Sequence, residues 1–418
     1  MLDQAQRLLF NDELPGDRQA AICRCHYRRI GATVRLRVNT VSGRAHFHGL
    51  ETCHNVWACP VCSNRITNGR RDELQRAVGY WKEQRGESYL VTATFPHRRV
   101  DRLGDLLGLM RKAADIFNTS RASRAAREKA GYVGQVRALE VTWGGWHGWH
   151  PHFHFLYFCR PGQVATLQAL ETAWVDALIK SGLAERSQLN DMLHGKDGES
   201  PAFDVQNGDY AAEYIAQFGH EPSWESKLEA GATWGIAAEM VKGASKTGRR
   251  LKGVTPFTFL AVAAELRQLP GLKKGTAMAL FCEYATAFKG QRQLYWSPKL
   301  RAVLNMGRLF TDAELPDNYG PKSADVTVYT FDRQEWALIL AHRARDAAQR
   351  AAEESRTDGV RALLERLRAL GPPPRDPRIA HELPDGTHAV GLDSPQDAWP
   401  RLVNVFYTTP DGCRRVAP

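Results

Sequence analysis

Five of the chain's eight cysteines fall within its first 62 residues: Cys23, Cys25, Cys53, Cys59 and Cys62. In a reducing compartment, thiols this close in sequence read as metal ligands before disulfides. Cys59-Pro-Val-Cys62 is a CxxC knuckle, a spacing that suits tetrahedral zinc. Cys53 and either Cys25 or Cys23 complete the set, with His54 a weaker candidate. Four thiolates leave no open coordination position, so such a zinc is structural and pins the N-terminal segment. A redox CxxC is the competing functional reading, but no thioredoxin-like βαβ pattern surrounds it. The bland reading is a set of independent reduced cysteines. Cys159, Cys282 and Cys413 are isolated.

The reducing compartment is itself an inference. The start, Met-Leu-Asp-Gln-Ala-Gln-Arg, lacks a basic stretch followed by an apolar one, so no secretory signal is expected. No apolar run approaches the roughly 18 residues needed to cross a bilayer. The expectation is a cytoplasmic protein without a membrane partner. Lys plus Arg is 56 against 46 for Asp plus Glu, a formal net charge of +10. That balance favours a polyanionic partner, most simply nucleic acid. With 418 residues and 43% hydrophobic content, the chain has length for two or three domains and is not disordered as a whole.

Along the chain, residues 1–20 read as a short polar leader, and Val34, Leu36 and Val38 alternate as in a strand. An amphipathic helix is expected over 66–85, then a strand, Tyr89-Leu-Val-Thr-Ala-Thr-Phe95, stopped by Pro96. A helix over about 102–129 follows. Strands at 133–143 and 153–159, joined by the loop Gly144-Gly-Trp-His-Gly-Trp-His150, suggest an antiparallel hairpin. Helices are expected over about 163–181, from Asp209, over 225–243, and from the Thr255-Pro256 opening to about 289. A short strand is expected at 202–206. The charged stretch 332–369 reads as a solvated helix, and the Pro-rich 371–398 as a linker.

His152-Phe-His154 lies on the second strand of the hairpin. Residues two apart on a strand share a face, so both imidazoles can reach one point. Imidazole suits divalent transition metals and is tolerated at magnesium and manganese sites. Glu140, on the partner strand, can supply the third, harder ligand. Alone, such a pair is more often two ordinary histidines in an aromatic strand. Tyr210 and Tyr214 are four apart on an expected helix and share a face. Such pairs usually pack a core, yet a phenol beside a metal can attack a phosphodiester.

Taken in order, Leu90-Val-Thr-Ala-Thr-Phe-Pro-His97, Glu140, His150-Pro-His-Phe-His154 and Tyr210-x-x-x-Tyr214 resemble the HUH endonucleases. Within them the chain is similar to the rolling-circle replication initiators of bacterial plasmids. Cys53 to Cys62, Lys246 to Arg250, Thr255-Pro256-Phe257 and Gln291 to Ser297 extend the likeness over roughly residues 20–305. The resemblance implies an α+β fold: an HUH nuclease domain with a central antiparallel sheet flanked by helices, a zinc-binding N-terminal extension and a helical C-terminal part. The expected divisions are a zinc-binding region (1–66), nuclease core (67–225), helical DNA-binding region (226–330), charged helix (331–370) and linker or disordered tail (371–418).

It further implies that His152, His154 and Glu140 hold catalytic Mg2+ or Mn2+, while Cys25, Cys53, Cys59 and Cys62 hold structural Zn2+. Tyr214 matches the usual nucleophile, which nicks origin DNA, becomes joined to the 5′-phosphate and frees a 3′-OH primer. Tyr210 matches the second tyrosine of two-tyrosine members, which accepts the strand at termination. Thr92 and Thr94 fall in the strand of the family's first motif. The implied partners are origin DNA, single-stranded or extruded as a hairpin, and the host helicase and polymerase. The chain departs from the family's Tyr-x-x-Lys pattern, with Glu213 and Gln217 at the lysine positions. Lys246, Arg249, Arg250 and Lys252 are candidate phosphate contacts and a source of the missing cation, though a solvated loop fits them equally. Trp143, Trp146 and Trp149 can stack on unpaired bases or pack the hairpin loop. The competing functions are a two-tyrosine HUH transposase and a zinc-dependent origin-binding regulator without strong catalysis. A conjugative relaxase fits less well, because its nucleophile usually precedes the histidines.

Overall fold

Alternating β-branched and aromatic residues make the strands here, and the alternation decides what each face of a sheet touches. The computed structural model describes residues 1–11, 13–14, 18–41, 43–162, 167–194, 201–208, 253–315 and 325–371, and the backbone of 406–408 and 414–416. The strands are β1 Val34–Asn39, β2 Ala45–His48, β3 Glu87–Ala93, β4 Tyr132–Gly144, β5 Gly148–Cys159, β6 Phe203–Asn207, β7 Leu294–Trp296 and β8 Asp325–Phe331; Phe406–Thr408 and Arg414–Val416 pair as a further ribbon. The chain divides into two units, one of residues 56–320 and the other of residues 2–55 with 321–418.

In the second of these units, β2, β1 and β8 form an antiparallel sheet in that order. Val34, Leu36 and Val38 of β1 point inward and Arg35 and Arg37 outward, the period-2 pattern read from the sequence. The inner face packs on Trp336, Ile339 and Leu340 of helix Arg333–Ala341 and on Ala348, Ala352, Val360 and Leu364 of helix Arg345–Ala369. The stretch 332–369 is therefore not one solvated helix but a series of amphipathic ones, interrupted after Ala341 and kinked at Ser355-Arg356, whose apolar residues lie under a charged surface. The leader also differs from expectation. Leu2–Leu8 is a helix, and its buried Gln6 donates to the carbonyls of Ile22 (3.0 Å) and Cys25 (2.7 Å). A polar side chain can be core when its hydrogen bonds are met.

The first unit is built on a five-stranded sheet of order β6-β3-β5-β4-β7, every pair antiparallel. Strand β5 is central, and its two faces serve different purposes. Phe153, Phe155 and Tyr157 face one side. There Phe155 meets Phe117 (6.1 Å) of helix Leu103–Thr119, and Phe117 meets Trp174 (5.5 Å) of helix Leu170–Ser181. Trp174 is fully buried, and its indole N–H donates to the Thr94 carbonyl at 2.8 Å. On the other face, Leu156 and Phe158 pack with Leu90, Val136 and Ala138 against Leu74, Ala77 and Val78 of helix Pro60–Glu83. His150, His152 and His154 continue that same face toward the hairpin end.

Two boundaries differ from the sequence reading. The expected helix 102–129 is broken at Ser120, whose hydroxyl accepts from Ser123 N (3.1 Å) and so caps a separate helix, Arg121–Lys129. Strand β5 begins at Gly148 rather than at 153 and runs through Pro151. Pro151 lacks an N–H, and β3 pairs with β5 only as far as Phe153, so the strand has an open edge there.

Candidate functional site

Antiparallel register sets Glu140 of β4 directly opposite His152 of β5, and Ala138 and Thr92 opposite His154. Cross-strand partners share a face, so one carboxylate and two imidazoles converge. Glu140 Oε2 lies 2.9 Å from His154 Nε2 and 3.4 Å from His152 Nε2. All three ligand atoms lie within 4.8 Å of one another. His154 is wholly buried and His152 nearly so.

The outer nitrogens are also held. His152 Nδ1 donates to the His150 carbonyl at 3.1 Å, which turns Nε2 toward Glu140. His154 Nδ1 lies 3.1 Å from the Thr92 hydroxyl. Such outer partners orient metal-binding imidazoles. Because a carbonyl only accepts, His152 Nδ1 carries a proton. Its Nε2 then needs a second proton, or a cation, to face a carboxylate. Burial alone would push the Glu140 carboxyl up, but the hydrogen bonds from His152 and His154 prevail and hold it well below the usual carboxylate range. Burial opposes the charged form of His152, yet the Glu140 carboxylate outweighs it and the imidazole's affinity for a proton is raised. An O/N/N set with buried imidazoles and a partly exposed carboxylate, which demands positive charge, fits a hard-to-borderline divalent ion such as Mg2+ or Mn2+.

Beside Glu140 a narrow cleft is lined by Val56, Trp57, Val141, Pro256, Phe257 and Tyr284. Two motif segments singled out above therefore wall the site. Trp57 is fixed by its N–H to the Gln291 carbonyl (2.8 Å), and its own carbonyl accepts from Tyr284 (3.0 Å). The segment Gln291 to Ser297 acts through its backbone: Leu294–Trp296 is the edge strand β7, paired with β4.

Sequence reasoning missed the support given by His97 and His150. Their rings stack at 4.6 Å with 20° between planes, and the His150 ring lies 5.0 Å from that of His152. The Pro-His97 and His150-Pro pairs flanking the strands were the available signal. Burial first, then the charges of His152 and His97, lower His150 to about 3. His150 thus binds its proton less readily folded than unfolded, where the ordinary value is 6.5. Its contribution to stability is complete above pH 6.5 and is lost as pH falls from there toward 3. The thermal midpoint is expected to fall over that range, and less steeply in His150→Gln. Unfolding scans across pH test this; equal slopes in the two proteins would refute it.

The cysteines are found as two pairs. In the 56–320 unit, the Cys59 and Cys62 sulfurs lie within 4.8 Å of each other, and Cys59 Sγ accepts from Cys62 N at 3.5 Å, capping helix Pro60–Glu83. In the other unit, the Cys25 and Cys53 sulfurs lie within 4.8 Å of each other. Of the two alternatives it is Cys25 that stands beside Cys53; Cys23 Sγ donates to the Gln6 carbonyl at 3.7 Å. Cys25, Cys59 and Cys62 are buried and Cys53 is half-buried, and the soft thiol donors of both pairs fit zinc. Tyr210, Tyr214, Lys246, Arg249, Arg250 and Lys252 lie outside the described residues. Among the described residues no helix is long and apolar enough to cross a membrane.

A family model described as "Replication protein" matches residues 44–175. Over 72 residues the chain is 39% identical to "Protein rep" of Streptomyces lividans, covering 17% of this chain and 16% of that one. It is 40% identical, over the same shares, to a "Neomycin resistance protein" of Streptomyces cyanogenus. The matched stretch thus spans about a sixth of the length of these curated relatives. No solved structure matches the chain.

Proposed function

We propose, from a replication-protein match over residues 44–175, that the chain initiates rolling-circle replication of a plasmid by nicking origin DNA. The observation that carries this reading is the convergence of Glu140, His152 and His154 on paired strands, within the matched stretch. These three residues would hold Mg2+ or Mn2+. When bound, the ion supplies charge stabilisation to the scissile phosphate and the leaving oxygen. The fold is then that of an HUH nuclease with a zinc-bearing extension, whose Cys25, Cys53, Cys59 and Cys62 would serve as structural Zn2+ ligands. Its location is the cytoplasm.

In this reading, the Tyr214 phenol oxygen forms a bond to phosphorus as the bond to the 3′ oxygen breaks. The phenol proton ends on the freed 3′-OH, which primes the host polymerase behind a host helicase. One phosphodiester replaces another, so rejoining needs no ATP. Tyr210 accepts the regenerated strand at termination. Lys246, Arg249, Arg250 and Lys252 neutralise backbone phosphates near the site.

The test is a denaturing gel of the full chain with single-stranded fragments of the DNA flanking its gene, in manganese. A covalent adduct mapped to Tyr214 is expected, falling to background in Tyr214→Phe. Adduct formation by Tyr214→Phe at the parent's level overturns the nucleophile assignment. Binding without any adduct in the parent favours the origin-binding regulator.

A further inference from the structure

The three tryptophans of the β4–β5 turn separate in the structure. Trp149 is buried, and its N–H donates to Glu283 Oε2 at 3.0 Å. Trp143 is half-buried and edge-on to Phe259 at 5.7 Å. Both pack the hairpin. Trp146, at the tip, is 68% exposed.

This tip is locked to a second loop. The His147 carbonyl accepts from His97 Nδ1 at 2.9 Å. Gly148 has φ +75°, and a Cβ there would lie 2.9 Å from Arg99 Cα, so only glycine allows the two loops to close. The stacking of His97 on His150 ties the same loop to β5. The locked partner is Arg98-Arg99-Val100-Asp101-Arg102, in which both Arg98 and Arg99, Val100 and Arg102 are exposed. Two acids face it: Asp101 accepts from Arg98 N (2.6 Å), and Glu185 lies 3.8 Å from the Arg98 guanidinium. The tip lies at the histidine end of the sheet. His152 is four residues from Gly148 along β5, roughly 13 Å at about 3.3 Å per residue.

We propose that Trp146, with Arg98 and Arg99, is a stacking platform for unpaired bases of the DNA strand whose phosphate reaches Glu140, His152 and His154. This rests on the nuclease reading of that site. An exposed indole on a pinned loop offers a flat apolar face at low ordering cost. Stacking on it tolerates any base, and the guanidinium groups neutralise the flanking phosphates. Bases in a duplex already stack on one another and present no free face. The platform therefore selects single strands and holds the one approaching the site.

The test is fluorescence anisotropy of the full chain with labelled oligo(dT) and with a labelled duplex. Trp146→Ala is expected to weaken oligo(dT) binding about 10-fold, Trp146→Phe to restore most of it, and duplex binding to change by less than about two-fold. Arg99→Gln is expected to lower the slope of log affinity against log salt by about 0.7. Unchanged thermal midpoints show that the variants fold. His152→Ala separates the two readings, because it is expected to keep oligo(dT) binding and lose the covalent adduct. Trp146→Ala binding oligo(dT) as tightly as the parent overturns the platform alone. A parent that does not bind oligo(dT) also overturns the platform, whereas the nuclease reading falls only if the parent forms no covalent adduct.

Discussion

Glu140→Gln is expected to lower manganese-dependent adduct formation by about 100-fold or more, while the thermal midpoint at pH 8 stays within a few degrees of the parent. Glu140 Oε2 is the point on which both imidazoles converge, at 2.9 and 3.4 Å. Glutamine keeps its shape and removes its charge, so the set loses its hard anionic ligand. The amide would also turn an N–H group or a neutral oxygen toward the two Nε2 atoms. At pH 8 the imidazoles can stay neutral, so the fold need not suffer from the lost counter-charge. Titration of Mn2+ by electron paramagnetic resonance gives a second readout, independent of turnover. Unchanged ion binding with unchanged adduct formation would remove Glu140 from the ligand set.

A change at the cysteines should act on stability instead. Cys62→Ser is expected to reduce zinc from about one per chain to near zero and to lower the thermal midpoint by about 10 °C or more. Cys59 and Cys62 sit at the start of helix Pro60–Glu83, where the exposed N–H groups favour thiolates. The same helix carries Leu74, Ala77 and Val78 onto the apolar half of the β5 face. Loss of the proposed zinc would free its first turn, in which Pro60, Cys62 and Ser63 are buried. Serine is nearly the size of cysteine, so an ordinary buried thiol would lose only about 1 kcal/mol, worth roughly 2–4 °C in a unit this large. Metal analysis with thermal unfolding of the full chain separates the cases. A parent free of zinc, or a variant melting within about 4 °C of it, contradicts the proposed site.

The convergence of Glu140, His152 and His154 was legible because strand geometry is local. His152 and His154, two apart, had to share a face, and a short glycine-rich turn had to bring β4 back beside them. Two ends of the site were not legible. Pro151 hid the start of β5, since whether a proline fits depends on which neighbouring strand reaches it. The His97–His150 stack joins residues of different loops and has no periodic signal. Long-range pairing was equally hidden: Arg37 of β1 meets Thr327 of β8, a partner that no short window contains. The 332–369 stretch misled because its arginines and glutamates are spread among apolar residues that are mostly small alanines, although Ala348, Ala352, Val360 and Leu364 are buried in the core. The tyrosine and basic-loop assignments fall on residues outside those described and rest on the resemblance.

One strand, β5, carries the proposed ligands and the core in alternation, with Phe153 and Phe155 on one face and His152 and His154 on the other. A slip of one residue against β4 would exchange them, burying imidazoles among aromatics and setting phenylalanine beside Glu140. In the proposed nuclease reading, competence to cut and correctness of strand pairing are therefore one event. In that reading, a copy that has paired its strands wrongly loses its core and its cutting site together.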